Sequence, residues 1–317
     1  MDRIARSRHL ARLSRLAPAA AALAAVLVPA PSRACSVCAC GDPLVAVGQV
    51  AGPAGQFGLE LDGQWLSMTA GGEEPGTLDE LNQWSLLLTA SYTPVTNLNL
   101  VVTLPWVWKE MTMRMPDGTA MPSSNLNGFG DLQFGLRWFF WEDLDVGART
   151  RQTLSLSAST SAPTGNDSAV DAEGVRIDQH GQIGTGGWGP NLGLFYRFQG
   201  DAWSAYAGVW GLYRTRNAYG YRFGEALLWT ATGQYQAADW LAVALGIDGR
   251  VAASDAEDGV AVENTGGFVL TAVPAVYARV FPGGWFLAKA QLPVATALHG
   301  TQTVGPVVTV GLRYEFE

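Results

Sequence analysis

The stretch Val304-Gly-Pro-Val-Val-Thr-Val-Gly-Leu-Arg-Tyr-Glu-Phe316 decides how the rest of the chain is read. From Val308 onward Val308, Val310, Leu312, Tyr314 and Phe316 fall on one face, and Thr309, Gly311, Arg313 and Glu315 on the other. A period of two is the signature of a β-strand. A strand with an arginine and a glutamate on one side and an aliphatic-then-aromatic row on the other is ill suited to a dry core. It suits a wall with hydrocarbon outside and water inside.

The same segment, with Thr309, Gly311, Tyr314 and Phe316 in spaced positions, resembles the C-terminal assembly signal of bacterial outer-membrane β-barrels. The resemblance implies two partners, outer-membrane lipid and the barrel assembly machinery.

The start of the chain supplies an address. Arg3, Arg6, Arg8, Arg12 and Arg15 precede an apolar run from Leu16 to Ala30, and Ser32-Arg33-Ala34 offers small residues at a cleavage site. This predicts a secretory signal peptide over residues 1–34. Pro18 and Pro29 interrupt the run, which falls short of the roughly 20 apolar residues of a spanning helix. Cleavage after Ala34 leaves 14 basic and 27 acidic groups, a net charge of 14 − 27 = −13. An acidic exported chain is a poor partner for nucleic acid.

Beyond a cysteine-containing segment at 35–55, residues 56–317 read as one all-β domain. Glycine (38) and tryptophan (12) are abundant, and no helical periodicity or 18-residue apolar run follows the signal, so turns and strands are expected throughout. Twelve strands are predicted, at about 56–69, 81–93, 97–110, 131–141, 151–163, 186–199, 202–216, 221–236, 239–253, 266–282, 284–295 and 304–316. Short links at 94–96, 200–201, 237–238 and 282–283 alternate with long polar ones at 70–80, 111–130, 164–185, 254–265 and 296–303. That parity, and the even strand number, belong to a transmembrane antiparallel up-and-down β-barrel with short periplasmic turns, long outer loops and periplasmic termini.

Alternation also assigns faces. Trp84, Leu86, Leu88, Ala90 and Tyr92 point outward in the second strand, as do Leu98 to Trp108 in the third, ending at an interface girdle. The inward face is expected to carry Glu60, Asp62, Arg137, Arg197, Arg214, Asp248, Arg250, Arg279, Lys289, Arg313 and Glu315, lining a narrow pore or locking it with ion pairs.

The segments Asn127-Gly-Phe-Gly-Asp131-Leu132, Ser159 to Gly165, Gly184-Thr-Gly-Gly-Trp188 and Gln291-Leu-Pro293 with Gly300 resemble the outer-membrane family labelled as phenol-degradation meta-pathway transporters. The resemblance spans most of 56–316 and implies a channel-like barrel. No residue independently indicates phenol.

Sulfur is placed unevenly. Cys35, Cys38 and Cys40 hold every thiol of the chain within six residues. Three thiolates so close suit a soft ion such as Cu(I) or Zn(II); a disulfide in an oxidising periplasm or acylation of Cys35 are the alternatives. Met111, Met113, Met115 and Met121 form a second cluster in the predicted outer loop, with Met68 on the same inward side. Thioethers favour Cu(I), while adaptable apolar padding is the plainer role. Together the clusters suggest a copper route from mouth to periplasm, with a periplasmic metal or redox protein as receiver. No cofactor is required.

His180 and His299 fall in predicted outer loops, where solvation is expected. The run Asp255-Ala-Glu257-Asp258-Gly259 lacks the spacing of a calcium loop and reads as a solvated surface. A barrel hydrolase would need a histidine beside a serine on a strand, so no enzyme is expected. The leading reading is a channel or facilitator for a small solute; the alternative is a structural barrel that scaffolds a metal or redox partner.

Overall fold

The computed structural model describes residues 52–71 and 77–316, so the segment expected to be a signal peptide and the three cysteines lie outside the described residues. Along the chain run β1 (Phe57–Gly71), β2 (Leu78–Val95), β3 (Leu98–Arg114), β4 (Ala120–Phe129), β5 (Gln133–Asp145), β6 (Thr150–Ser161), β7 (Gly189–Gln199) and β8 (Trp203–Leu212). They are followed by β9 (Tyr221–Arg222), β10 (Ala226–Ala238), β11 (Leu241–Ala252), β12 (Ala256–Glu257), β13 (Val260–Ala261), β14 (Gly267–Phe281), β15 (Gly284–Leu298) and β16 (Gln302–Phe316).

Each long strand pairs antiparallel with its neighbour in the chain, and β16 returns to pair with β1, from Phe57 opposite Phe316 to Ala70 opposite Gln302. The sheet is therefore a closed barrel. Counting β4 and β5 as one interrupted strand, since both pair with β3, it has the twelve strands expected. Short turns at 96–97, 146–149, 200–202, 239–240 and 282–283 share one rim with the start of β1 and the end of β16. The links at 115–119, 162–188, 213–225, 253–266 and 299–301 share the other.

Burial is inverted relative to a water-soluble protein. Leu61, Leu86, Leu88, Leu100, Val102, Leu104, Leu245, Ile247, Val310 and Leu312 are exposed, while Gln83, Asn99, Lys109, Arg137 and Thr309 are buried. Period-two alternation puts the first set outside and the second in the bore. Aromatics bracket the apolar belt. Phe57, Phe316 and Tyr314 cluster near the short-turn rim, with centroids 5.3 Å and 4.6 Å apart. Trp65 and Trp84 meet at 6.1 Å, and Trp106 and Phe129 at 4.6 Å, near the other rim. The step from Trp84 to Tyr92 spans roughly 27 Å of strand at about 3.4 Å per residue. Tilted by about 40°, it covers about 20 Å along the membrane normal, close to the apolar band of such barrels.

Several expected boundaries move. The predicted loop 111–130 is a β-hairpin: β3 runs on to Arg114, β4 starts at Ala120, and only 115–119 forms the turn. Met111 and Met113 are thus strand residues, because Met-x-Met-x-Met keeps the period of two. The predicted strand at 131–141 begins instead at Ala120 with an interruption at 130–132, and the link before β16 shrinks to 299–301. β8 stops at Leu212, and Tyr221–Arg222 joins β12 and β13 in a small separate sheet that ties two outer loops together.

Candidate functional site

Near the long-loop rim, loop 162–188 folds inward against the wall and contributes Ile183 and Thr185 to the lining of the bore. Two inward side chains of the wall receive it. Lys109 of β3, 3 % exposed, donates from Nζ to the carbonyls of His180 at 3.0 Å and Gln182 at 2.6 Å. Asp131, at the interruption between β4 and β5, accepts from the backbone N–H of Gly165 and of Thr185, both at 2.9 Å, and from the Thr185 hydroxyl at 2.5 Å. These are charge-assisted bonds in a low-dielectric setting, the strong kind. The break in the strand follows: Leu132 gives its N–H to Thr164 rather than to a ladder partner, and Gly130 gives its own to Pro105.

The loop is also organised from within. Gln182, 1 % exposed, closes its turn by accepting from Ala169 N–H at 2.9 Å and donating to the carbonyls of Ala169 at 2.9 Å and Ile177 at 2.8 Å. Arg176 donates to Asp167 O and Gln179 Oε1 and stacks 3.8 Å over Tyr219. Asn217 Nδ2 then reaches Gln179 Oε1 at 2.7 Å, linking this plug to loop 213–225.

His180 ties in a third loop. Its Nδ1 meets Asp178 Oδ1 at 3.0 Å and its Nε2 meets Asp255 Oδ2 at 3.1 Å. Asp255 is fully buried and also accepts from Tyr221 OH at 2.7 Å and Gly224 N–H at 2.7 Å. Burial works against a charged imidazole, but the hydrogen bonds to Asp178 and Asp255 prevail and lift the His180 pKa to about 10. For Asp178 burial likewise pushes upward, and the His180 hydrogen bond and charge overcome it, holding the carboxyl at about 2. The expected solvation of His180 and of the Asp255 end of the acidic run is thus corrected: both are interior anchors, because the loops that carry them pack on one another.

Below the plug lies a chamber of about 280 Å³. Glu60, Asp62, Gln83, Thr309, Lys289 and Asp248 line it with polar groups, and Val107, Trp210 and Leu228 with apolar ones. Asp248 is held by Thr230 Oγ1 at 2.6 Å and Gln291 Nε2 at 2.8 Å. Arg214 donates to Ser161 Oγ at 2.8 Å. Nearer the short-turn rim, inward side chains of β7 and β8 form an aromatic wall. Phe195 stacks between Tyr206 and Trp210, with centroids 5.8 Å and 5.7 Å away, and the Arg137 guanidinium sits 4.5 Å over its ring. Gly208 opposite Phe195 leaves room for that ring to lie flat, since a Cβ there would collide with Cδ1 and Cε1.

Of the predicted pore residues, Glu60, Asp62, Arg214, Asp248, Arg250 and Lys289 line the chamber. In register Glu60 is opposite Arg313, Asp62 opposite Gly311, Arg197 opposite Tyr206, Asp248 opposite Thr230, Arg250 opposite Leu228 and Lys289 opposite Thr309. Arg313 pairs with Glu315 at 2.8 Å, and Arg279 lies 5.1 Å over Trp285 at the rim. Arg137 is packed rather than open to the bore. Of the sulfur residues, Met68 and Met111 flank Leu81 in one inward row, and Met113 stands directly opposite Met121. Met111 is 8 % exposed and packs against Gly181 of the plug, whereas Met121 is 47 % exposed and Met115 lies in the hairpin turn. Sequence reading missed Lys109 and Asp131 as plug anchors. A lysine on the bore side of a membrane-spanning strand was the available signal.

No protein-family model matches the chain, and no curated protein matches its sequence. Solved structures share its fold. An outer membrane channel from Pseudomonas putida F1 is 13 % identical, with 87 % of this chain and 100 % of that chain covered at a TM-score of 0.61. The transport unit of the autotransporter AIDA-I from Escherichia coli is 7 % identical, with 86 % and 94 % covered at 0.50. The class is thereby defined: a twelve-stranded barrel of the outer-membrane type.

Proposed function

We propose that the protein is an outer-membrane channel for small solutes, with its long loops outside and both termini in the periplasm. The observation that carries this reading is the inverted burial: an apolar belt encloses a polar chamber, with an inward-folded loop at its outer end. The likeness to a solved outer membrane channel supports it. A packed lower bore and a folded plug make general diffusion slow, so the channel passes narrow solutes past the plug. Lipid surrounds the belt, and Gly311, Tyr314 and Phe316 present the signal to the assembly machinery. Reconstitution of the full chain in planar bilayers tests the reading: small, resolved conductance steps in potassium chloride are expected. Silence from both this chain and a plug-shortened one would leave the scaffold alternative.

Copper(I) is the finer version of this reading, and the pairing of Met113 with Met121 favours it. Two thioethers facing each other across a hairpin suit a soft monovalent ion. The receiving thiols would be Cys35, Cys38 and Cys40. Copper(I) titration of the mature protein tests it: affinity should fall when Met113 and Met121 become leucine, and again when the cysteines become serine. Unchanged binding in both would remove copper and leave the channel.

A further inference from the structure

β4 leaves a margin of the wall free. It pairs with β3 on one side and with no strand on the other. β6, which would stand beside it, quits the wall first. The Ala162 N–H still reaches Leu132 O at 2.8 Å, and Thr164 and Gly165 then bind Gly130 O and the Asp131 carboxylate as the chain turns into the bore. The Gly130 N–H donates to Pro105 O at 2.9 Å, which sets the phase of the ladder between β3 and β4. Gly128 and Leu126 therefore bond to β3, while Asn125, Asn127 and Phe129 aim their N–H and C=O groups at the margin. Among the described residues, 120–129 hydrogen-bond to nothing but β3.

Edge strands are usually blunted by charge or proline. β4 has no charged residue, and past Pro122 the run from Ser123 to Phe129 has neither guard. Asn125, Asn127 and Phe129 are exposed, and Phe129 sits against Trp106 at the girdle, so the strand above it stands clear of the lipid. A second copy in the same membrane does not fit this margin. Strands tilt by about 40°, so a copy rotated about the membrane normal would cross β4 with its own at about 80°. Charge narrows the occupant further. The links at this rim, 115–119, 162–188, 213–225, 253–266 and 299–301, hold 4 arginines and 10 carboxylates, a sum of 4 − 10 = −6, or −5 with His180 protonated. The adjoining strand ends add Asp79, Glu80 and Glu110 against Arg114, and Lys109 offsets Asp131. A row of free backbone donors and acceptors beside an acidic rim suits a basic strand.

We propose that the β4 margin is a docking edge for an extended basic polypeptide segment, which adds to the sheet as a further strand in the place that β6 vacates. The edge serves whether or not the bore conducts. Its test uses the full chain in micelles of an uncharged detergent and a fluorescent peptide of alternating lysine and threonine, about nine residues long, with binding read by anisotropy. The lysine peptide should bind about tenfold more tightly than its glutamate counterpart. Asn127→Pro deletes an N–H aimed at the margin and leaves the bonds to β3 whole, so affinity should fall about tenfold. Asn125→Pro should do the same. Asn127→Ala, which keeps the N–H, should bind like the wild type. Heat-modifiable migration on gels shows that each variant is folded. No binding by the lysine peptide, equal binding by the two peptides, unchanged affinity in both proline variants, or an equal loss in Asn127→Ala overturns the inference.

Discussion

The two sides of the barrel differ in height, and the difference explains the plug. β1, β2, β3, β14, β15 and β16 span 15 to 18 residues each, whereas β6, β7, β8, β10 and β11 span 10 to 13. On the tall side the outer links are hairpin turns such as 115–119 and 299–301. On the short side the chain leaves the sheet early, and the residues that would have extended the wall form loops 162–188, 213–225 and 253–266. A loop emerging low on the wall reaches the bore, where Lys109 from the tall side meets it. Where strands end therefore decides which loops can enter.

The strongest challenge to this comparison removes the plug. Deleting 167–182, so that Asn166 joins Ile183, keeps the Asp131 contacts and should raise single-channel conductance about tenfold, as expected when a bore of this strand number is cleared. An unchanged current would mean that the Arg137 and Phe195 level, not the loop, limits flow. Next in size is a change on the belt: Leu88→Arg, at mid-height on the tall side, should cost about 2–4 kcal/mol of barrel stability in urea titration from lipid. The same substitution on the plug would cost far less.

A sharper probe is Lys109→Met. It keeps the length of the side chain and removes two charge-assisted bonds, worth about 1.5–3 kcal/mol each while they last. Plug openings should become frequent, seen as flicker between two current levels, with belt stability little changed. The smallest effect is titration of the His180 anchor. Because its pKa is raised in the folded state to about 10 from 6.5, its contribution is complete below about pH 6.5 and is lost as pH rises through about 10. Mean current should therefore climb between those values. His180→Gln should flatten the profile.

Much of the wall was legible because membrane strands obey one rule. Trp84 to Tyr92 and Leu98 to Trp108 state it without interference, and the alternation of short and long links orders the strands. The plug was not legible, since nothing local in Gln179, His180 or Gln182 says that they turn inward. Their fold is dictated by Lys109, about seventy positions earlier, and by Asp131 and Asp255, all distant in sequence. The interruption at Gly130 failed for the same reason: Asn127-Gly-Phe-Gly-Asp131 looks like the entrance to a strand, and only Thr185 and Gly165 reveal why the ladder stops. The hairpin at Met111–Met121 was lost to composition, as polar residues around the turn outweighed a periodicity that in fact continued.

The seam between the first and last strands has a consequence for biogenesis. Every other neighbour pair can zip as soon as its turn has emerged, but this one joins positions at opposite ends of the polypeptide. It forms last, after the intervening hairpins stand side by side, and until then two raw margins await a partner. Until the two strands meet, those margins are the part of the sheet most open to mispairing.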